Sequence, residues 1–409
     1  MAIKTKILPL IKTPLLVALD TQVFYNYQFN YNTTKLMTLV SFVQKEKVKL
    51  LMTCVTHREI KRHLNDKAES IFKLVKKTAQ STYLNSFDTD RNKLRINSNL
   101  LNEFKDEVQK IVYNFDQMNE QVQKVIPSLD AIKRELQIQF EYFCEEADFE
   151  TIKIDGVLIS DVFENYFSSN PPFSEKKKDE FPDAFALFAL KKEAEDKKKE
   201  IYLVSDDNDW KDFCSLTKNL LYYKNLDTLL ELLNKVNSPD DFDECYELYH
   251  EREEEIKKEI ENLFPNLNFT IEIIDHTIEW GSEKIQVNPE SVVVDILNST
   301  LIHIDDSNVN QILAIFDLEI DVDYVTLTKY TSIYEKYIKE DNDYYTYPEE
   351  IESENPQSYN THVEITLRLS RDGDRNLCDS FIKDDINFNP NNTLDEIVID
   401  LDSSFEDEY

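Results

Sequence analysis

Glycine is nearly missing from this chain: its 409 residues include Gly156, Gly281 and Gly373 and no others. Successive glycines stand more than 90 positions apart. A dinucleotide-binding G-x-G-x-x-G turn or a G-x-x-x-x-G-K-[ST] phosphate loop needs glycines a few residues apart, because backbone must approach phosphate closely. Neither can form, which excludes dehydrogenases of that type and P-loop NTPases. Cysteine is sparse as well. Cys54, Cys144, Cys214, Cys245 and Cys378 are scattered, the closest pair 31 positions apart. No C-x-x-C exists, so a local zinc knuckle or redox pair is excluded, and an odd count in so long a chain argues against a disulfide framework. The six histidines form no H-E-x-x-H. No apolar run approaches the roughly 20 residues that span a bilayer. The opening MAIKTKILPLIKTPLLVALD lacks a separate apolar core followed by a small-residue cleavage site. It reads as the lead-in to a first strand, not as a signal peptide, and the expected location is the cytoplasm.

Apolar residues make up 41% of the chain, enough for packed interiors despite 31% charged residues. The length exceeds what one core usually serves, so two or more domains are expected. The net charge of -34 is unevenly spread. Residues 1–239 hold 35 basic and 36 acidic side chains, whereas residues 240–409 hold 11 and 44. Residues 1–100 alone hold 17 basic and 7 acidic groups. A basic N-terminal lobe, able to attract polyanions, is thus joined to a strongly acidic C-terminal region that repels them. NSPDDFDE follows the apolar LDTLLELLNKV near residue 238, which places a domain junction there, with domains expected over 13–236 and 238–409. The C-terminal acidity either competes with nucleic acid for the basic lobe or keeps a β-rich domain soluble and its edges unpaired.

Short buried strands are expected at LLVALD (15–20), KLLMTCV (49–55) and EIYLVS (200–205), with a weaker fourth at LLYY. Helical patterns lie between them, including Thr33 to Lys47, a long basic helix after Val55, and FPDAFALFALKKEAEDKK with Pro182 in its first turn. The pattern from about 80 to 155 is helical and connective and reads as an insertion. Strand-helix alternation with both strand faces apolar predicts an α/β domain with a parallel sheet covered by helices. Beyond 238, CYELYHEREEEIKKEIENLF is helical. Alternating runs follow: FTIEIID, SVVVDIL, AIFDLEIDVDYVTLT, THVEITLRLS and EIVIDLD. Period-2 alternation predicts an antiparallel, mostly-β domain, read as sandwich-like. The last residues, SSFEDEY, are expected to fray.

Four segments place an acid where a parallel strand ends or the next helix begins: Asp20 in VALDTQVF, Glu59 in VTHREI, Asp183 in EFPDAFAL, and Asp207 with Asp209 in VSDDNDW. Ligands of open α/β sheets bind outside the carboxyl ends of the strands, so acids there can converge. Converging carboxylates ionise together only beside cations, and hard oxygen ligands suit Mg²⁺ or Mn²⁺. Each acid also fits an ordinary role. Asp20 could close an Asx turn or cap a helix, and Thr56 with Glu59 matches a capping box. Asp183 suits a helix first turn, and Ser205, Asp206 and Asp207 suit N-caps.

In order and context, the four pieces resemble the PIN domain family. A strand ends in Asp20-Thr21, Glu59 follows a second strand, P-D-A-F opens a helix at Asp183, and V-S-x-D-x-D-W carries Asp207 and Asp209. The resemblance covers roughly 220 residues. It implies a three-layer α/β fold with a helical insertion, and a Mg²⁺- or Mn²⁺-dependent nuclease, usually acting on RNA. Asp20, Glu59, Asp183 and Asp207 would be metal ligands, Asp209 would join the metal site by adding charge or a contact behind the ligands, and Thr21 and Ser205 would hydrogen-bond behind the ligands. Glu180 and Asp206 are extra acids, and which aspartate of the Asp206-Asp207-Asp209 cluster ligates is left open. Arg58, Lys61 and Arg62, with His57 and His63, are candidates for holding substrate phosphates, or else form an ordinary solvated face. The aromatics of NYQFNYN (26–32) could stack on bases, although packing explains them better. The expected partner is nucleic acid, RNA in preference to DNA, with no membrane. A protein partner for the acidic domain and self-association are further options. The resemblance also implies a bacterial stress or phage-defence effector. The alternative is a non-catalytic PIN-fold binding scaffold.

Overall fold

The computed structural model describes residues 14–80, 127–174, 180–267, 285–308, 311–338, 343–371, 377–380 and 386–388. The chain divides into two compact units, the first reaching Pro239 and the second starting at Asp240.

The first unit is built on a five-stranded parallel sheet in the order β3-β2-β1-β4-β5. Its strands are β1 (Leu15–Leu19), β2 (Val48–Thr53), β3 (Glu150–Ile152), β4 (Ile201–Val204) and β5 (Leu220–Tyr223). All five residues of β1 are buried, as a central strand covered on both faces requires. β1 pairs Val17 with Leu50 on one side and with Tyr202 on the other. The chain lays down β1, β2 and β3 outward in one direction, then crosses to place β4 on the far side of β1. The gap between the ends of β1 and β4 is therefore the topological switch point of the sheet.

Helices cover both faces. Leu16, Ala18, Leu51 and Leu203 pack against Leu187 and Leu190 of α6 (Phe181–Lys197) and Trp210 and Phe213 of α7 (Asn208–Ser215). On the other side α2 (Thr34–Gln44) and α8 (Leu226–Asn237) contact each other and the sheet. α3 (Cys54–Gln80) follows β2 with no intervening loop. It buries Ile60, Leu64, Ala68, Ile71 and Val75, a stripe at helical spacing. α1 (Thr21–Asn26) and α5 (Ile159–Phe167) complete the unit with α4 (Leu129–Glu146).

The segment expected as an insertion over 80–155 is described from residue 127 onward. There it supplies α4, packed on α3, and the edge strand β3, paired in parallel with β2. Three residues are too few to show strand periodicity. Residues 81–126 lie outside the described residues. Phe24 of α1 is fully buried, 6.0 Å from the ring of Phe143 and 6.5 Å from that of Phe140, both on α4. Tyr31 stacks on Phe143 at 5.0 Å. The short α1 is therefore fixed by aromatic packing and not by helix propensity, since six residues cannot hold a helix alone.

The second unit pairs one helix, α9 (Pro239–Leu263), with an antiparallel sheet. Its long strands are β7 (Val293–Asn308), β8 (Gln311–Ile338) and β9 (Asp343–Arg371). The short strand β6 (Ile285–Val287) also pairs with β8, while β10 (Leu377–Ser380) and β11 (Ile386–Asn387) pair with β9. Ile312, Ala314, Phe316, Leu318, Ile320 and Val322 alternate into the core, the period-2 pattern of a one-sided sheet. The cover on this face is Phe242, Cys245, Tyr249, Ile256 and Ile260 of α9. Among the described residues of this unit there is one sheet, and an amphipathic helix covers the core on this face. The runs FTIEIID and EIVIDLD and the tail SSFEDEY lie outside the described residues.

Truncating Phe24 should unseat α1. We expect Phe24→Ala to cost about 3–5 kcal/mol in urea unfolding of the full chain, and Phe24→Leu much less. A loss below about 1 kcal/mol for the alanine variant would show that this packing does not hold α1.

Candidate active site

The acids reach one place because of where strands stop. β1 ends at Leu19, and Asp20 follows with its N–H still bonded to the carbonyl of Val204, 2.9 Å away. β4 ends at Val204, and Ser205 extends the ladder through a 3.1 Å bond to the carbonyl of Tyr223. Asp20 and Ser205 thus stand side by side across the switch point. Glu59 lies in the second turn of α3, and Asp183 in the first turn of α6. Asp20, Glu59, Asp183 and Asp207 line a single cleft of about 1030 Å³.

Each carboxylate is oriented by a neighbour. Ser205, fully buried, donates its hydroxyl to Asp20 Oδ2 at 2.7 Å and accepts the N–H of Asp207 at 3.1 Å. Thr21 Oγ1 donates to Glu59 Oε2 at 3.1 Å. The indole N–H of Trp210 donates to Asp183 Oδ1 at 3.1 Å. The ordinary roles fare unevenly. Asp20 makes no side-chain cap bond to α1. Thr53, not Thr56, caps α3, by accepting the N–H of Thr56 at 3.0 Å. Asp207 does cap α7, through a 2.6 Å bond from the N–H of Asp209.

Electrostatics mark the same residues. Burial pushes the Asp20 carboxyl up to about 6; the bond from Ser205 opposes this, and the charges of Glu59 and Asp207 add to it. Asp183 is pushed up to about 8, first by burial, then by a hydrogen bond with Glu180 and by the charge of Asp20. The cleft thus stores like charge that it cannot fully ionise at neutral pH.

Not every candidate reaches the cleft. Asp209 does not line it. Asp206 does, and its Oδ2 accepts from Asn26 at 3.4 Å. Of the basic candidates, Arg58, Lys61 and Arg62 are absent from the lining. Lys61 reaches away to Glu141 of α4 at 2.5 Å, which also lies 3.9 Å from His57. Arg62 stands 3.8 Å from Glu59, with two thirds of its side chain exposed. The α3 face that lines the cleft carries Glu59, His63, Asp66, Lys67 and Ser70. That row follows helical spacing from Glu59 (i, i+4, i+7, i+8, i+11), and this signal would have found Asp66 and Lys67.

The NYQFNYN segment divides in two. Tyr27 and Tyr31 are buried in packing, whereas Phe29 and the preceding Tyr25 line the cleft. Gln28 and Phe29 both adopt left-handed backbone angles, φ 49° and 58°. Such conformations cost non-glycine residues roughly 1–3 kcal/mol each and persist where the surroundings enforce them. Phe29 N–H bonds to the carbonyl of Phe24 and Gln28 N–H to that of Tyr25. Lys67 adds a bond to the Gln28 carbonyl.

The donor set is all carboxylate, the chemistry of a hard divalent cation. Among the described residues, no three of His, Cys, Asp and Glu stand close enough to enclose an ion in this conformation. Asp20 and Asp183 are held by Ser205 on one side and by Trp210 and Glu180 on the other. The raised carboxyls still fit a cation, since the charge they cannot carry alone is what an ion would balance.

Residues 17–210 match the family model described as PIN domain. No curated protein and no solved structure matches the chain. PIN domains are generally nucleases, and PIN domain nucleases typically use divalent metal ions. The matched span runs from Val17 of β1 to Trp210, takes in β2, β3 and β4 and every acid of the cleft, and supports the reading of this first unit as a PIN domain.

Proposed function

We propose that the first unit is a metal-dependent endonuclease that hydrolyses phosphodiester bonds, in RNA in preference to DNA, with Mg²⁺ or Mn²⁺ held by Asp20, Glu59, Asp183 and Asp207. The observation that carries this reading is the raised carboxyls of Asp20 and Asp183 in one cleft at the switch point. Purely structural acids gain nothing from mutual repulsion, whereas acids that hold a cation need it. When bound, the ion would neutralise charge developing on the phosphate and lower the pKa of an attacking water. The chain's own residues do the rest. Ser205 and Thr21 aim the carboxylates of Asp20 and Glu59, and Trp210 fixes that of Asp183. Asp209 lies outside the cleft, so it is left out of the ligand set. The preference for RNA follows from the family resemblance.

Cleavage of single-stranded RNA and DNA with Mg²⁺, Mn²⁺ or a chelator tests the reading. We expect activity on RNA that the chelator removes, and an at least about 100-fold loss in Asp20→Asn or Asp183→Asn with the fold intact. A wild-type chain inactive on both nucleic acids with either metal would leave the scaffold reading in its place. Either variant cutting at the wild-type rate would remove these residues from the site.

The same carboxyls set a pH dependence. Their folded pKa values lie above the ordinary aspartate value near 4, so the folded chain binds more protons between about pH 4 and 8. Stability of the metal-free protein should therefore fall as pH rises through that window. Asp20→Asn should raise stability at about pH 8 by on the order of 2 kcal/mol and flatten the profile. Mn²⁺ should stabilise the wild type more at about pH 8 than at about pH 5, because it competes with protons. Thermal melts across pH, with and without Mn²⁺, measure both effects. A profile that rises toward pH 8 would contradict the assignment.

A further inference from the structure

The lining of the cleft poses a problem for any polyanion. Among the described residues that line it, Asp20, Glu59, Asp66, Asp183, Asp206 and Asp207 are acidic, and only Lys67 and His63 are basic. Lys67 is already engaged with the Gln28 carbonyl and stands 5.6 Å over the ring of Phe29. Side-chain cations therefore offer a nucleic-acid backbone little here. A base carries no net charge, and every base has a π-face, so stacking is a contact that an acidic cleft can still offer.

The structure provides an aromatic group in the right place. Tyr25 lines the cleft with 55% of its surface exposed, an unusual position for a large aromatic side chain. It lies five residues beyond Asp20 on α1, which begins directly after that aspartate. At about 1.5 Å per residue this puts it roughly 7 Å along the helix from the acid, on the scale of a nucleotide. Its ring is propped from two sides. Phe29 meets it edge-on at 6.0 Å and 87°, and His63 of α3 at 6.0 Å and 67°. Phe29 reaches that position through the two left-handed residues Gln28 and Phe29, which are tied down by backbone bonds and by Lys67. The exposed ring is thus pre-positioned and loses little side-chain freedom on contact.

Building on the nuclease reading above, we propose that Tyr25, braced by Phe29 and His63, is a stacking platform for an unpaired base next to the scissile phosphate, so that the site selects single-stranded nucleic acid. A paired base presents its face to its neighbours in the duplex and cannot lie on this ring. Tyr25 acts by stacking, so the ring matters and the hydroxyl does not.

The test measures binding, separately from cleavage. A fluorescein-labelled single-stranded RNA, the same RNA annealed to its complement, and single-stranded versions with one abasic position at successive sites are titrated by anisotropy. The proteins are the full-length Asp20→Asn chain with Mn²⁺, alone or combined with Tyr25→Ala, Tyr25→Phe or Tyr25→Leu. We expect Tyr25→Ala and Tyr25→Leu to weaken single-strand binding roughly 10-fold or more, Tyr25→Phe to retain it, and the duplex to bind weakly. An abasic position at the stacked site should cost the Tyr25 protein a similar factor and cost Tyr25→Ala nothing further. Thermal melts establish that the variants are folded. The proposal is overturned if the Tyr25 protein binds no RNA, if Tyr25→Ala binds like it, if Tyr25→Phe fails as badly as Tyr25→Ala, or if every abasic penalty adds in full to the Tyr25→Ala loss. Loss of the platform with cleavage still present in the wild type rejects stacking and leaves the nuclease reading standing. Tyr25-dependent binding without wild-type cleavage does the reverse.

Discussion

One buried hydroxyl joins the two strands that part at the switch point. Ser205 donates to Asp20 and accepts from the backbone of Asp207, so a side-chain bond joins the ends of β1 and β4 beyond the backbone ladder. Without it, the carboxylate of Asp20, only 7% exposed, would lack the larger of the two bonds, from Ser205 and from the backbone of Thr21, that oppose its desolvation. The ladder bonds from Asp20 to Val204 and from Ser205 to Tyr223 hold that geometry from behind. The cleft therefore depends on the sheet, and its acids move only if strands move. Thr21 and Trp210 extend the arrangement to Glu59 and Asp183, which come from helices at either side.

Among the described residues of the first unit, several lysines are engaged in ion pairs away from the cleft. Lys61 pairs with Glu141, Lys133 with Glu69, and Lys49 with Asp148. Lys61 and Lys133 clasp α3 and α4 together, where half-exposed pairs contribute register more than stability. Among the described residues the cleft is left mostly acidic, a setting in which a bound cation and an aromatic face, as proposed above, would suit a polyanionic substrate.

The second unit follows a simpler logic. A sheet with one apolar face needs one cover, and α9 supplies Phe242, Tyr249, Ile256 and Ile260 at helical spacing. Tyr249 stacks on Phe316 at 4.7 Å, and Tyr246 meets the same ring edge-on at 5.3 Å. Acidic residues in this unit are compatible with such a core because alternation keeps side chains such as Asp321 and Asp323 out of it. The buried Asp317, held 2.9 Å from His362, is an exception.

The sequence alone determined the parallel strands, because a run such as LLVAL buried on both faces leaves no other reading. It determined that Asp20 and Asp207 follow strand ends, and it separated an alternating acidic domain from an α/β one. It carried the family in four short pieces. Its periodicity did not reveal β3, whose three residues are shorter than any period. Local pattern also favoured Arg58, Lys61 and Arg62 beside Glu59, since sequence neighbours look like spatial neighbours. Helix geometry separates them: Arg62 stays 3.8 Å from Glu59 without lining the cleft, Lys61 turns to a partner 80 positions away, and the residues that line the cleft with Glu59 are His63, Asp66, Lys67 and Ser70. Only the tertiary structure decided which acids share a cleft, because desolvation and repulsion depend on distances through space. It alone also brought His63 of α3 together with Tyr25 of α1 and with Phe29 in the turn that follows, since they meet only where α1 packs beside α3.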